Sequence, residues 1–177
     1  MTVVVTSVLT LAAPPTATAS PPPGCTVMDL PSDARIYPEP VISADGRRVA
    51  YASRADVGGG NGDGSDELWV LDLATGRRTQ LTHEVPSTPP GSSIASIAMN
   101  NDGSQLAYTR RVGPAWSNEY SVRLLRRSTA SETEVGTSNS APIALSGNSR
   151  RLAYTNRQGL VVRNNVTGVA KVIASGN

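Results

Sequence analysis

One phrase occurs three times in this chain of 177 residues, and it constrains the fold more than any other feature. It reads SADGRRVAYAS at residues 43–53, NNDGSQLAYTR at 100–110 and SGNSRRLAYTN at 146–156. Tyr51, Tyr108 and Tyr154 mark the register, so the copies are spaced by 57 and 46 residues. Such a period indicates a chain built from repeated structural units, and the longer first interval indicates an insertion.

The second half of the phrase predicts a β-strand that is covered on both faces. In the first copy, Val49 and Tyr51 point to one face of the strand, whereas Ala50 and Ala52 point to the other. Both sets are apolar, which is typical of a strand enclosed between two neighbouring layers.

A tight turn precedes each of these strands. The turn residues are Asp45–Gly46, Asp102–Gly103 and Asn148–Ser149. Asp and Asn side chains accept hydrogen bonds from the backbone ahead of them, and Gly adopts a positive φ without a Cβ clash. The sequence therefore predicts three hairpins, the third of them looser because Ser replaces Gly.

A second hairpin follows each phrase. In the first copy, ELWVLDLATGRRTQLT predicts a strand at Leu68–Asp72, a turn at Thr75–Gly76 and a strand at Arg78–Thr82. The third copy has its turn at Thr167–Gly168, and the middle copy has Thr-Ala-Ser in its place.

Each unit is therefore a four-stranded antiparallel sheet, which is the architecture of one β-propeller blade. No segment has a helical period. We predict an all-β fold: a partial propeller of three four-stranded antiparallel blades at about 36–90, 91–138 and 139–177, after a disordered N-terminal segment.

The stretch from Pro40 to Thr82 resembles the repeat of the TolB-like, or WD40-like (PD40), β-propeller family. That repeat reads roughly Pro-x-x-Ser-x-Asp-Gly-x-x-Ile-Ala-Tyr, then an apolar strand, Asp-Leu-x-Thr-Gly and Leu-Thr, and PVISADGRRVAYAS with LWVLDLATGRRTQLT matches it. The other two copies match in part. The resemblance implies an extracytoplasmic protein-binding propeller, as in the Tol system, and the same repeat forms the non-catalytic propeller of prolyl-oligopeptidase-type peptidases. Its motif residues are structural, so no site residue is carried over.

The N-terminus predicts export. Residues 3–13, VVVTSVLTLAA, have the length of a signal-peptide core and are too short for a transmembrane span, which needs about 20 apolar residues. Ala17 and Ala19 supply the small residues of a cleavage site, so we expect a secretory signal peptide at 1–19 and a Pro-rich linker at 20–35. No Lys or Arg precedes the apolar run, and a buried first strand is the alternative.

Cys25 is the only cysteine, so no intramolecular disulfide forms. A lipoprotein signal needs a small residue just before the cysteine, which Gly24 supplies, and a Leu-like residue three positions before it, which Pro22 does not supply. A solvent-accessible thiol is therefore favoured over a lipid anchor.

Composition and motifs argue against several function classes. The net charge of +2 predicts no nucleic-acid partner, and paired arginines near strand ends are expected to be solvated. His83 is the only histidine and no Gly-x-Ser-x-Gly is present, so we predict no catalytic residue, no cofactor and no zinc site. We expect a non-enzyme.

Two features remain as candidate sites. Asn61, Asp63, Ser65 and Asp66 lie on the Gly-rich insertion and resemble a calcium-binding turn, although the register departs from the EF-hand pattern and a solvated loop is favoured. Trp116 lies in a loop of the second blade, where it is either a partner contact or packs across a blade edge.

We therefore expect a secreted or periplasmic binding module for a protein or polymer partner at the cell envelope. The alternatives are the propeller part of a prolyl-oligopeptidase-type peptidase that lacks its hydrolase domain, and a truncated gene product.

Three blades do not close a propeller, which typically has 4–8. We expect the outer faces of the first and last blades to be open to water, with Val49, Tyr51, Leu152 and Tyr154 among the exposed residues. Either two chains pair head to tail into a six-bladed ring, or further blades are missing; the last predicted strand ends close to Asn177, which favours missing blades.

Overall fold

The computed structural model describes residues 38–56, 59–84, 93–113 and 116–175. The predicted signal peptide and linker, with Ala17, Ala19 and Cys25, lie outside these residues.

The described residues form three antiparallel four-stranded sheets and no helix, which confirms the predicted all-β propeller-type fold. Each sheet is a meander in which successive strands are neighbours. The first sheet contains β1 (Val41–Ile42), β2 (Arg48–Ser53), β3 (Glu67–Asp72) and β4 (Arg78–Gln80). The second contains β5 (Ile94–Met99), β6 (Gln105–Arg111), β7 (Tyr120–Arg126) and β8 (Ser131–Ser138). The third contains β9 (Ile143–Leu145), β10 (Arg151–Asn156), β11 (Gly159–Asn164) and β12 (Ala170–Ser175).

The repeated phrase forms the turn between the first two strands of each blade. Gly46, Gly103 and Ser149 occupy equivalent places and have φ angles of 68°, 65° and 62°. Each donates its backbone N–H to the carbonyl three residues earlier, over 2.9, 3.2 and 2.8 Å. The expectation of a looser third hairpin is therefore wrong, because Ser149 adopts the left-handed conformation and keeps the closing bond.

Side-chain acceptors hold these turns in shape. Asp45, Asp102 and Asn148 each accept the backbone N–H two residues ahead, over 3.0, 3.1 and 3.1 Å. Hydrogen bonds from the Ser43 hydroxyl and the Arg47 backbone N–H lower the pKa of Asp45. Hydrogen bonds from the hydroxyl and the backbone N–H of Ser104 lower the pKa of Asp102. The turns therefore favour the ionised carboxylates.

The turns of successive blades are joined to one another. The backbone N–H of Asp45 donates to the carbonyl of Asn101 over 3.1 Å, and the N–H of Asn101 donates to the carbonyl of Gly147 over 2.9 Å. The guanidinium of Arg48 also donates to the carbonyl of Asp102 over 2.6 Å. We call this end of the three sheets the turn face.

The predicted Thr-Gly turns lie on the turn face as well. Gly76 and Gly168 have φ angles of 70° and 75°, and each donates its N–H over 2.8 Å to the residue four positions earlier. The hydroxyl of Thr75 donates to the Asp72 carboxylate over 3.1 Å, whereas the N–H of Thr167 reaches the Asn164 side chain over 3.4 Å.

Neighbouring blades pack in a fixed relative orientation. Tyr108 in the second blade faces Ala50 and Ala52 of the first, and Tyr154 in the third faces Ala107 of the second. The contact at Tyr154 is close, because a Cβ added at Gly136 would overlap the Tyr154 hydroxyl. The tyrosine sides of the second and third blades therefore meet the small-residue side of the blade before them.

The expectation that Leu152, Tyr154 and Tyr51 are open to water is wrong. Leu152 and Tyr154 are 0% and 6% exposed because they face the second blade. Tyr51 lies on the side of the first blade that faces away from the second, and it is 0% exposed in a cluster with Trp69 and Leu71, against which the half-buried Val49 packs. The alternation of a strand sends neighbouring residues to opposite faces, and the sequence did not show which of the two faces points outward.

The outer face of the third blade carries the residues that alternate with Leu152 and Tyr154. Ala153, Val162 and Lys171 are register partners on this face, and Ile173 of the edge strand is 60% exposed. Every residue of β12 is exposed.

Exchanging residues at the left-handed turn positions tests the role of the turns. Gly46→Val should lower the free energy of unfolding by about 1–3 kcal/mol, because a β-branched residue is strained at positive φ. Ser149→Gly should raise it by up to about 1 kcal/mol, since the strain of a left-handed residue is removed at some cost in backbone entropy. Urea denaturation measures both, and equal midpoints for the three proteins would contradict the assignment of these turns.

The turn carboxylates predict acid sensitivity. Because the pKa values of Asp45 and Asp102 are lowered in the folded state, the stability they contribute is present above their unfolded value of about 3.9 and is lost as the pH falls through the folded values. An Asp45→Asn/Asp102→Asn variant keeps the acceptor oxygens, as Asn148 does, and its melting temperature should fall less between pH 5 and pH 2.5. Glu39→Gln, a change of an exposed acid outside the turns, is the control. Superimposable melting curves for the wild type and the double variant would exclude this contribution.

The exposed third-blade face predicts self-association. The small-residue faces of the first and second blades are each covered by the tyrosine face of the next blade, whereas the face around Ala153 and Val162 has no such cover among the described residues. Light scattering should therefore show a dimer or larger species, and Val162→Lys should shift the distribution towards the monomer. Val166→Lys, on an exposed turn of the same blade, should leave it unchanged. A wild-type monomer with a cooperative melt would contradict the prediction.

Candidate functional site

The longer connections lie at the end of the sheets opposite the turn face. In a four-stranded meander, the connection from the second to the third strand and the connection to the next blade leave from the same end. This end, which we call the loop face, carries the described parts of residues 54–66, 81–93, 112–119, 139–142 and 157–158. The predicted site residues Asn61 and Trp116 lie here.

The insertion brings three of the four proposed calcium ligands together. The hydroxyl oxygen of Ser65 lies 3.1 Å from the Asn61 side-chain oxygen and 2.7 Å from the Asp63 carboxylate. The Asp66 carboxylate accepts a hydrogen bond from the Arg54 guanidinium over 2.8 Å. Within the described ranges, no three His, Cys, Asp or Glu side chains are grouped so that they could hold a metal ion. The favoured interpretation, a solvated loop, is wrong for Asn61, Ser65 and Asp66, which are buried, and calcium binding stays the untested alternative.

Glu67, which the sequence analysis did not single out, anchors this loop. Its side chain is 1% exposed, and its carboxylate accepts hydrogen bonds from the Ser65 hydroxyl over 2.6 Å, the Thr82 hydroxyl over 2.5 Å and the Glu84 N–H over 2.7 Å. A buried carboxylate needs such donors to offset its desolvation. The available signal was an acid at the first position of a strand whose next four residues are apolar.

A polar network surrounds the hydroxyl of Tyr108, a second-blade residue that packs against the first blade. The Tyr108 hydroxyl donates to Glu132, which also pairs with Arg123. Burial, followed by the hydrogen bond to Glu132, raises the pKa of Tyr108, and burial raises the pKa of Glu84 against the opposing charge of its ion-pair partner Arg110. Tyr108, Arg123 and Glu132 all belong to the second blade, and the Glu84–Arg110 ion pair ties the connection after β4 to β6.

His83 is exposed after β4, and its Nδ1 lies 3.3 Å from the Gln80 amide nitrogen.

Trp116 marks an open groove between the second and third blades. The groove has a volume of about 960 Å³ and is lined by residues of the β6–β7 loop, the end of β8 and the β10–β11 turn. Trp116 is 85% exposed there, whereas Trp69 is 3% exposed and belongs to the core. Of the two readings of Trp116, the structure excludes packing across a blade edge.

Opposite charges bridge this groove. Arg157 of the third blade and Glu119 of the second form an ion pair of 3.1 Å, with side chains 85% and 62% exposed. Such exposed pairs contribute little stability, so both groups can rearrange around a ligand. They are 38 residues apart in sequence, and the sequence analysis named neither.

The backbone under the groove is fixed by hydrogen bonds. The N–H of Val112 donates to the carbonyl of Glu119 over 2.9 Å and closes the loop that carries Trp116. The N–H of Asn139 donates to the carbonyl of Thr155 over 3.3 Å and joins the second blade to the third. The predicted structural turn residues all lie on the other end of the sheets, so none of them takes part in the groove.

None of the described residues belongs to a helix long and apolar enough to cross a membrane.

Comparisons with known proteins support the fold alone. No protein-family model matches the chain, and no curated protein matches it. TolB from Acinetobacter baumannii is similar with a TM-score of 0.51 and 14% identity, over 78% of this chain and 32% of that chain. The propeller domain of the Trilobed protease from Pyrococcus furiosus is similar with a TM-score of 0.53 and 13% identity, over 82% and 45%.

Prolyl endopeptidases are similar with a TM-score of 0.51 and 14% identity, over 78% of this chain and 22% of theirs. This chain therefore spans less than half the length of each of these three proteins. At these identities, what is shared is the packing of four-stranded blades, and the chain has a propeller-type fold of the kind found in TolB and in peptidase propeller domains.

Proposed function

We propose that this chain is an extracytoplasmic, non-catalytic propeller module of the TolB-like (PD40) type, which binds a protein or polymer partner at the cell envelope. The observation that carries the proposal is the 85% exposed Trp116 in an open groove on the loop face. Large exposed aromatic side chains are unusual on soluble surfaces and are enriched among residues that dominate binding energy.

The arrangement of the blades supports a binding role for this end. The turn face is occupied by short hairpins that are hydrogen bonded from blade to blade. The loop face carries the insertion and the Trp116 loop, whose lengths are not fixed by the blade repeat. Binding residues commonly lie on such loops above a rigid scaffold.

Two observations support an extracytoplasmic location. The apolar run with Ala17 and Ala19 has the pattern of a secretory signal. The TolB-like repeat resembles that of the Tol system, and TolB is among the proteins with a similar fold.

A second candidate is the propeller part of a prolyl-oligopeptidase-type peptidase. The likeness to prolyl endopeptidases, which covers 22% of their length, favours it. A reading frame downstream of this one that encodes further blades and Gly-x-Ser-x-Gly would distinguish this candidate from the binding module, whereas neighbouring envelope genes would favour the module.

Export and partner capture test the proposal in one expression system. The chain with a C-terminal tag, produced in a bacterial host, should be recovered outside the cytoplasm with Ser20 as its first residue, because cleavage follows Ala19. Ala19→Arg should block processing. Recovery of the wild type from the cytoplasm with Met1 intact would contradict export.

Partner capture is measured by immobilising the processed protein on a resin and passing envelope extract over it. The wild type should retain a partner that Trp116→Ala does not retain. Val166→Ala, a change at a 75% exposed residue of the third blade, should retain it as the wild type does. Retention that is the same for all three proteins would contradict a binding role for the loop face.

A further inference from the structure

We propose that the groove beside Trp116 binds a neutral polysaccharide chain, with the indole ring as the stacking platform. This inference rests on the proposed binding function and names the chemical class of the partner.

The ring is placed to stack against a flat ligand. Trp116 is 85% exposed, so both the edge and a face of the indole are open to solvent. The face of an aromatic ring carries partial negative charge, and the C–H groups of a sugar ring are partially positive on the face that stacks. A pyranose is therefore a good partner for this ring, because it offers an apolar face bordered by hydroxyl groups.

The groove supplies the hydrogen-bonding groups that hydroxyls need. Asn118, Asn139 and Gln158 line it with exposed side chains, and in the described part of the chain none of their amides is paired with another protein group. Each amide offers two donor hydrogens and an acceptor oxygen. Since a hydroxyl also donates and accepts, amides match a polyhydroxylated ligand without requiring a fixed orientation of each hydroxyl.

The charge of the groove favours a neutral ligand. Its lining contains one cation and one anion, Arg157 and Glu119, and these are paired with each other. A groove for a nucleic acid or an acidic polymer would present unpaired cations. When separated, a guanidinium and a carboxylate each form two parallel hydrogen bonds with neighbouring hydroxyls, so the pair can also serve a sugar.

The polar lining distinguishes the groove from a protein hot spot. Residues that dominate protein interfaces lie in well-packed apolar pockets that exclude water. Here Val112 is the one aliphatic residue among the described residues that line the groove, and Tyr120 is buried beneath it with Arg111 5.7 Å from the centre of its ring. The volume of about 960 Å³ lies at the upper end of the range of about 300–1,000 Å³ for small-molecule sites. An extended oligosaccharide fits such a site better than a folded protein surface.

Titration with defined oligosaccharides tests the inference. The probes are the neutral hexasaccharides cellohexaose, laminarihexaose, xylohexaose and N-acetylchitohexaose, with hexagalacturonate as the anionic control. Since Trp69 is buried, a change in intrinsic fluorescence on binding reports on Trp116, and calorimetry gives the affinity. At least one neutral probe should bind saturably and more tightly than hexagalacturonate.

The variants assign the binding to the groove. Trp116→Ala should weaken binding about tenfold or more, as expected for the loss of a dominant aromatic contact, whereas Trp116→Tyr should retain most of it. Gln158→Ala should cause a smaller loss, and Val166→Ala should cause none. Because Trp116 is exposed, circular dichroism of Trp116→Ala should match that of the wild type.

Three results would overturn the inference: no binding of any neutral probe at millimolar concentration, equal binding by wild type and Trp116→Ala, or binding of hexagalacturonate alone. The envelope-capture experiment separates these failures from failure of the proposed function. Trp116-dependent retention of a protein without oligosaccharide binding would refute the polysaccharide and leave the binding module standing. The loss of both would refute both.

Discussion

The structure depends on a hydrogen-bonded chain of hairpin turns that runs from blade to blade. The N–H of Asp45 reaches the carbonyl of Asn101, and the N–H of Asn101 reaches the carbonyl of Gly147. Each of these turns has the same left-handed conformation at its fourth residue, as Gly46 and Ser149 show. The phrase is therefore repeated because its turns serve two purposes: each closes its own hairpin and positions the next blade.

Side-chain packing then gives the stack of blades a direction. Each blade presents a tyrosine on one side and small residues on the other, so Tyr108 packs against Ala50 and Ala52, and Tyr154 packs against Ala107. A tyrosine face cannot pack as closely against another tyrosine face, so the stacking order is fixed in one sense. The same rule leaves the Ala153 side of the third blade as a small-residue face without a tyrosine face against it among the described residues.

The two ends of the sheets have separate roles. At the turn face, the backbone bonds between blades leave little freedom for insertion. At the loop face, connections differ in length, and Glu67 shows how one of them is held, through a buried carboxylate that accepts bonds from the loop and from the end of β4. The Trp116 loop is closed by the backbone hydrogen bond from Val112 to Glu119. A rigid base with open side chains above it reduces the entropy that binding must overcome.

The sequence by itself determined the strands, the turns and the number of blades, because these depend on local forces. An Asp-Gly turn and an alternating apolar strand are specified within a few residues, so Gly46, Gly76 and the β2 strand could be placed without a structure. It also pointed to Trp116. Only the tertiary structure decided which face of β10 is buried, since a two-residue alternation does not say which side a neighbour will cover. The same holds for the groove: Glu119 and Arg157 are 38 residues apart and meet only because two blades pack side by side.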